Sequence, residues 1–298
     1  MTEHLFALDA LAAAEIDDVE DTFYSKCRRS ILSKTLKLPT IPDVALKIRR
    51  AINDEKANSA KISRVVQLDP AITARLVQIA NSPLFRGRKK IESCPEALTR
   101  LGLRATQDIV TSLSLKAVFK ARSPMIRRLM CDLWAHSSYV AAISAVLAHK
   151  TPGFDPDRAM LAGLIHDIGV VPVLTYADRL PSLTHNPDDI DTAISKLRAI
   201  VGIMIMRKWN FPADFDDVIL NAENWQRDGK PEADYADVVI ISQLHSYIGD
   251  IGRLQKLPKM DSLPAYRKLV AGRLDIDMSL NILDEAKDEI RNIQLMLN

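Results

Sequence analysis

Residues 158–171 read Arg-Ala-Met-Leu-Ala-Gly-Leu-Ile-His-Asp-Ile-Gly-Val-Val. After its first residue the run is apolar except for His166 and Asp167, which stand side by side. Two ionisable groups in an apolar segment need a reason. Burying them unpaired is costly, or shifts their pKa values until they are neutral. One reason is metal ligation, since imidazole and carboxylate together suit a divalent cation. The competing reading is a helix-end pair satisfied by backbone groups and a neighbouring side chain. A dipeptide alone does not choose between them, because short motifs recur by chance.

Outward from this stretch the chain reads as helix after helix. Asp155 is placed to cap the His-Asp helix and Pro156 to open it. Before it, a long helix from about 124 to His149 carries Leu133, Trp134, Val140, Ile143, Val146 and Leu147 on one side. Ala141, Ala142, Ala145 and Ala148 leave room for another helix to approach closely. After it, helices are expected over about 189–208, 212–224, 233–248 and 278–297. The last has Leu280, Leu283, Ile290, Ile293 and Leu297 on one face.

Toward the N-terminus, Leu5, Leu8, Ala12, Ile16, Val19 and Phe23 predict an amphipathic helix, with an acidic cluster on its other face. Leu38-Pro-Thr-Ile-Pro42 is an extended entry, because residues before proline avoid the helical region. Pro42 can open the helix to about Ile52, and Ser59 is a candidate N-cap for the next one. Asp69-Pro70 is a cap followed by a first-turn proline, launching a helix that Asn81-Ser-Pro83 stops. The loop that follows is basic, with Arg86, Arg88, Lys89 and Lys90. A helix from Pro95 ends at Gly102, and another covers about 104–120. No sustained alternation predicts a strand, so the fold class is all-α. Three regions are expected: an N-terminal helix over 1–30, a helical half over 31–122 and a second half over 123–298.

Bulk composition fits a globular chain of 298 residues, 47% hydrophobic and 26% charged, with net charge +2. That balance does not steer the molecule toward nucleic acid or anionic membranes. No unbroken apolar run of membrane-spanning length is found, and the N-terminus does not read as a signal peptide. Cys27, Cys94 and Cys131 form neither a zinc motif nor a disulfide framework, and a cytoplasmic location is expected.

A second ligand for a metal would be His136, thirty residues upstream on the preceding long helix. Facing helices of a bundle commonly build metal sites from inward-pointing residues. The set of His136, then His166-Asp167 within Gly-Leu-Ile-His-Asp-Ile-Gly, resembles the HD superfamily of metal-dependent phosphohydrolases. More narrowly, the chain resembles HDOD-domain proteins, a branch associated with bacterial signalling. The resemblance covers about 38–225. It rests also on Leu38-Pro-Thr-Ile-Pro42, on Val65 to Ser82 with its Asp-Pro and Asn-Ser, on Ala97 to Gly102 and on Trp209-Asn-Phe-Pro212.

The resemblance implies a multi-helix bundle with an HD-like core. It also exposes gaps. The aspartate that closes the ligand shell in hydrolytic relatives is matched by Gln243, with Asp237 two turns earlier. A family histidine before Val201-Gly202 is matched by Arg198, and paired histidines after Trp-x-x-Pro are matched by Glu223-Asn224. His136, His166 and Asp167 are thus an incomplete candidate metal set, and Arg198 and Gln243 candidate ligand-pocket residues. Arg198 carries a permanent charge that opposes a metal and would pair with Asp167.

The expectation is a signalling module without hydrolase activity, no catalytic residues and no cofactor. It would act through contacts with signalling proteins, with a nucleotide-like ligand and a homodimer as options. The alternative is a metal-dependent phosphohydrolase for phosphodiesters or nucleotides, holding a divalent ion in an atypical set that Gln243 or His245 could extend. A nucleic-acid role for the 86–90 loop is a third, weaker option.

Overall fold

The computed structural model of the chain describes residues 22–54, 58–180, 187–248, 257–271 and 286–298. Among them every regular element is helical and there is no strand. In chain order the α-helices are α1 (Phe23–Leu32), α2 (Asp43–Ile52), α3 (Ser59–Val66), α4 (Pro70–Ala80) and α5 (Cys94–Ser114). Next come α6 (Pro124–Lys150), α7 (Pro156–Ile165), α8 (Val170–Ala177), α9 (Pro187–Trp209) and α10 (Asp214–Asn221). The last are α11 (Tyr235–Ser246), α12 (Pro264–Ala271) and α13 (Lys287–Leu297), with short 3-10 turns at Leu115–Val118 and Met260–Ser262.

The helix starts follow side-chain chemistry. The first turn of a helix has backbone N–H groups without partners, and a short polar side chain just before it accepts from one of them. Asp69 does so from the N–H of Ile72 at 3.0 Å, with Pro70 in the first turn. Ser93 does the same from Glu96. The cap of α3 is Asn58, which accepts from Lys61 at 2.8 Å; Ser59, expected as the cap, is the first helical residue. Asn58 has the extended backbone a cap needs. The break expected at Gly102 is a kink inside α5, where φ is 79° and a side chain would be strained. The helix expected over 5–23 lies almost wholly outside the described residues. Instead α1 begins at Phe23, capped by Thr22, whose hydroxyl accepts from Ser25. Of the helix expected over 278–297, the described part is α13, which buries Ile290, Ile293 and Leu297.

The chain forms two compact units, each drawn from three separate segments. Unit 1 comprises Met1–Thr40, Val118–Trp134 and His166–Leu220; unit 2 comprises Ile41–Ala117, Ala135–Ile165 and Asn221–Asn298.

In unit 1, α9 packs against α8 and α1. Fully buried Trp209 ends α9, and its indole N–H donates to the carbonyl of Pro39 at 3.1 Å. Lys208 donates to Leu38 at 2.9 Å, so the end of α9 holds the proline-rich entry extended. Tyr176 of α8 donates to the Lys26 carbonyl and packs near Phe23. The carboxylate of Asp178 accepts from the N–H groups of Arg122 and Ser123, just before α6 begins.

In unit 2, α5 packs against α2, α3, α4 and α7, while α11 packs against α7 and α12. A Cβ on Gly163 of α7 would lie 2.8 Å from Ala141 Cα and from Ser144 Oγ. That is the close approach the alanines of α6 permit, and Ala141, Ala142, Ala145 and Ala148 are all buried. The start of α7 is pinned as well. Tyr235 accepts from the Asp155 N–H at 3.0 Å, and Arg158 lies over the Tyr235 ring and 3.6 Å from Asp108.

The stretch Pro156–Ala177 has the length and hydropathy of a membrane span, yet 83% of its most apolar window is buried inside the protein. Such burial is the pattern of a core element.

Candidate functional site

The His-Asp pair sits in a turn of unit 1. Residues 166–169 are turn, closed by hydrogen bonds from Val170 to the Asp167 carbonyl and from Val171 to that of Ile168, and α8 then begins. Gly169 ends this turn with an ordinary negative φ, so its lack of a side chain serves proximity rather than conformation. A Cβ there would lie 1.8 Å from the carbonyl oxygen of Arg198 and 2.6 Å from the nitrogen of Gly202. The backbone of α9 therefore presses directly on the turn. Gly202 is crowded from the other side, where a Cβ would meet Ile219 at 2.6 Å. These two glycines set how near α9 comes, and hence where Arg198 stands.

Arg198 reaches the aspartate. Its Nη1 donates to Asp167 Oδ1 at 2.7 Å. The other carboxylate oxygen, Oδ2, is 3.2 Å from Nε2 of His166. The imidazole is wholly buried, and the Asp167 and Arg198 side chains are 13% and 7% exposed. Such a pair, charge-assisted and largely withdrawn from water, is stronger than a surface ion pair. Asp167 thus carries an arginine on one oxygen and a histidine near the other.

The remaining candidates lie in unit 2. His136 is half-buried on α6, its ring stacked on Tyr247 with centroids 5.6 Å apart. Gln243 is buried in α11, one turn before Tyr247, and neither its amide nitrogen nor its oxygen has a hydrogen-bond partner among the described residues. An unpaired buried amide is destabilising and calls for water or a ligand. His245 is buried too, and burial pushes its pKa down to about 4, so its ring is neutral near pH 7.

Asp237 is committed elsewhere. It is fully buried, 2.9 Å from Arg227 and 3.2 Å from Lys268, while Arg227 also grips Asp234 through two bonds. Burial raises the Asp237 carboxyl despite those cations. Burial acts on Asp234 in the same sense, but the Arg227 guanidinium outweighs it and holds that carboxyl low. Sequence reasoning missed this four-residue cluster. Its one local signal was Asp234-x-x-Asp237, which forms a capping box at the start of α11.

Do these residues suit a metal? His166 and Asp167 in unit 1, and His136 in unit 2, are donor types that metal centres use. A catalytic zinc centre typically has three protein ligands. The charge does not suit. A divalent ion on Asp167 would stand about 5 Å from a permanent cation, a repulsion of roughly 7 kcal/mol at an effective dielectric of about 20. The donor types are those of a metal centre, and Arg198 already supplies the positive charge.

Comparison with known proteins agrees with this architecture. A family model of the HDOD domain matches residues 38–225. An uncharacterized protein of Treponema pallidum (strain Nichols) is 27% identical over 202 residues. The match covers 63% of this chain and only 38% of that relative's length. Among crystal structures, a Shewanella amazonensis SB2B protein provisionally named a metal-dependent phosphohydrolase is 23% identical, covers all of both chains and has a TM-score of 0.77. An HDOD domain protein of unknown function from Geobacter sulfurreducens is 24% identical, covers 90% of this chain and 95% of its own, and has a TM-score of 0.61. A Marinobacter aquaeolei VT8 protein provisionally named for signal transduction is 20% identical, covers 99% of this chain and 65% of its own, and has a TM-score of 0.54. These structural likenesses show an all-helical fold with an HD-like core.

Proposed function

Because the chain belongs to the HDOD-domain family, we propose that it is a cytoplasmic bacterial regulatory module that works through contacts with signalling proteins and not through hydrolysis. The observation that carries this reading is the guanidinium of Arg198 on Asp167, 2.7 Å from Oδ1. A hydrolytic metal polarises phosphate and lowers the pKa of a bound water, and for that its carboxylate ligand must be available. Here that carboxylate is already neutralised. A nucleotide-like ligand would tune the module through Arg198 as a cation or, in unit 2, through Gln243 as an unpaired amide.

The test is turnover. Purified protein is incubated with Mg²⁺, Mn²⁺, Co²⁺ or Fe²⁺ and offered cyclic dinucleotides, nucleotides and bis-p-nitrophenyl phosphate. No hydrolysis is expected. Turnover that vanishes in both His166→Ala and Asp167→Ala would overturn the proposal.

A second reading is favoured by the donor types alone: a metal-dependent phosphohydrolase with His166 and Asp167 among its ligands. Elemental analysis of protein prepared without chelator separates the two. Near-stoichiometric metal supports the second reading. Metal absent from the wild type but gained in Arg198→Ala supports exclusion by the guanidinium.

A further inference from the structure

The basic loop singled out in the sequence has no part in the His-Asp centre. In unit 2 it forms one wall of a groove whose other walls are α4 and α13. The groove holds about 840 Å³, and its apolar lining includes Val77, Pro83, Ile91, Leu295 and Met296. Leu295 is 64% exposed, although α13 already buries Ile290, Ile293 and Leu297 on another face. A large aliphatic side chain beside such a groove is what an interaction surface presents.

The loop wall is held in place. The Asn81 side chain donates to the carbonyls of Val77 and Ile91 and accepts from the Ile91 N–H at 2.9 Å. Arg100 donates to Ala80 at 3.1 Å and to the Lys89 carbonyl. Between these anchors Arg86, Arg88, Lys89 and Lys90 are all exposed. The nearby carboxylates are Glu96, 4.0 Å from Lys89, and Glu92, which also lines the groove. Of these charged residues Lys90 and Glu92 line the groove itself, and the loop over 86–92 carries four cations and one carboxylate, so it is positive although the whole chain carries only +2.

We propose that this groove docks an acidic amphipathic helix of a partner protein. The proposal rests on the reading of the chain as a protein-contact module and gives that module a surface. An apolar stripe at three- and four-residue steps would lie on Val77, Ile91, Leu295 and Met296, as in other helix-in-groove complexes. Carboxylates along its edge would meet Arg86, Arg88 and Lys90, steering the approach. Nucleic acid fits less well. Among the described lining residues there is no aromatic ring for base stacking, and Lys90 is the one cation, too few to track a phosphate backbone.

The probe is a fluorescein-labelled helical peptide with Leu at three- and four-residue steps and Glu elsewhere, titrated by anisotropy against the full chain. Controls are the same peptide with Lys for Glu and a single-stranded oligonucleotide. Binding tighter than about 100 µM is expected, weakened roughly tenfold or more in Leu295→Asp and in Arg86→Glu/Arg88→Glu, the scale of an interface hot spot. Both variants alter exposed side chains, and circular dichroism checks that they fold. The proposal is overturned if the acidic peptide does not bind, if the Lys peptide binds equally, or if the oligonucleotide binds instead and loses affinity in the loop variant. The hydrolase assay on the same preparation keeps the two ideas apart. Failed peptide binding without turnover removes the groove only, whereas turnover removes the regulatory reading.

Discussion

His166 and Asp167 could be found by eye, because an ionisable pair in an apolar run needs a partner. Arg198 as that partner was expected only through the family resemblance; no local pattern ties residues 31 positions apart. Gly169 and Gly202 could not be read at all, since what they provide is proximity between segments distant in sequence. Gly169→Ala should therefore be severe. Its methyl group would need space held by the Arg198 carbonyl, so α9 must move. A loss of about 3 kcal/mol or more is expected, measured by urea unfolding, since overpacking against backbone relaxes poorly. His245 gives a pH dependence. Burial lowers its pKa from 6.5 to about 4, so folding favours the neutral ring. That contribution is complete above about pH 6.5 and is lost as pH falls toward 4, amounting to about 3 kcal/mol. Unfolding free energies between pH 7 and 4 should fall accordingly, and His245→Gln should flatten the slope.

At the scale of elements, starts marked by chemistry were legible and those set by packing were not. Asp69-Pro70 announced α4, and Trp209 with its following proline marked the end of α9. Asn58 and Ser59 are both good caps, and sequence could not say which takes the extended backbone. The helix α1 went unseen because Phe23 reads as the last step of the preceding apolar periodicity rather than as a beginning. The cluster tying α12 to α11 was also hidden, because Arg227 and Lys268 flank Asp237 from outside its helix. Asp237→Asn should leave two buried cations undercompensated. A loss of about 3–5 kcal/mol is expected from thermal or urea unfolding, as for other broken buried pairs. Asp234→Asn should cost less, because its carboxylate is less deeply buried.

On the scale of the whole molecule, the helical class was legible everywhere, while the grouping of helices was not. Hydrophobic periodicity shows that a helix has a buried face but not which helix covers it. Unit 1 takes α1, the first part of α6, and α8 to α10, with long segments of unit 2 between them. The family match at 38–225 leaves out α1, which packs on α9, and α11, which carries Gln243. A fragment of residues 38–225 should therefore expose apolar faces of α9 and α7. It should bind a hydrophobic dye and melt well below the full chain, and equal melting temperatures would contradict this packing.

The interleaving also bears on how the polypeptide is born. The helix α1 leaves the ribosome before α9, against which it rests and which is translated about 170 residues later. At about 5–20 residues per second this leaves an apolar surface waiting for roughly 10–30 seconds. A nascent chain in that condition is a natural client for chaperones, and its yield should respond to the pace of translation upstream of residue 209.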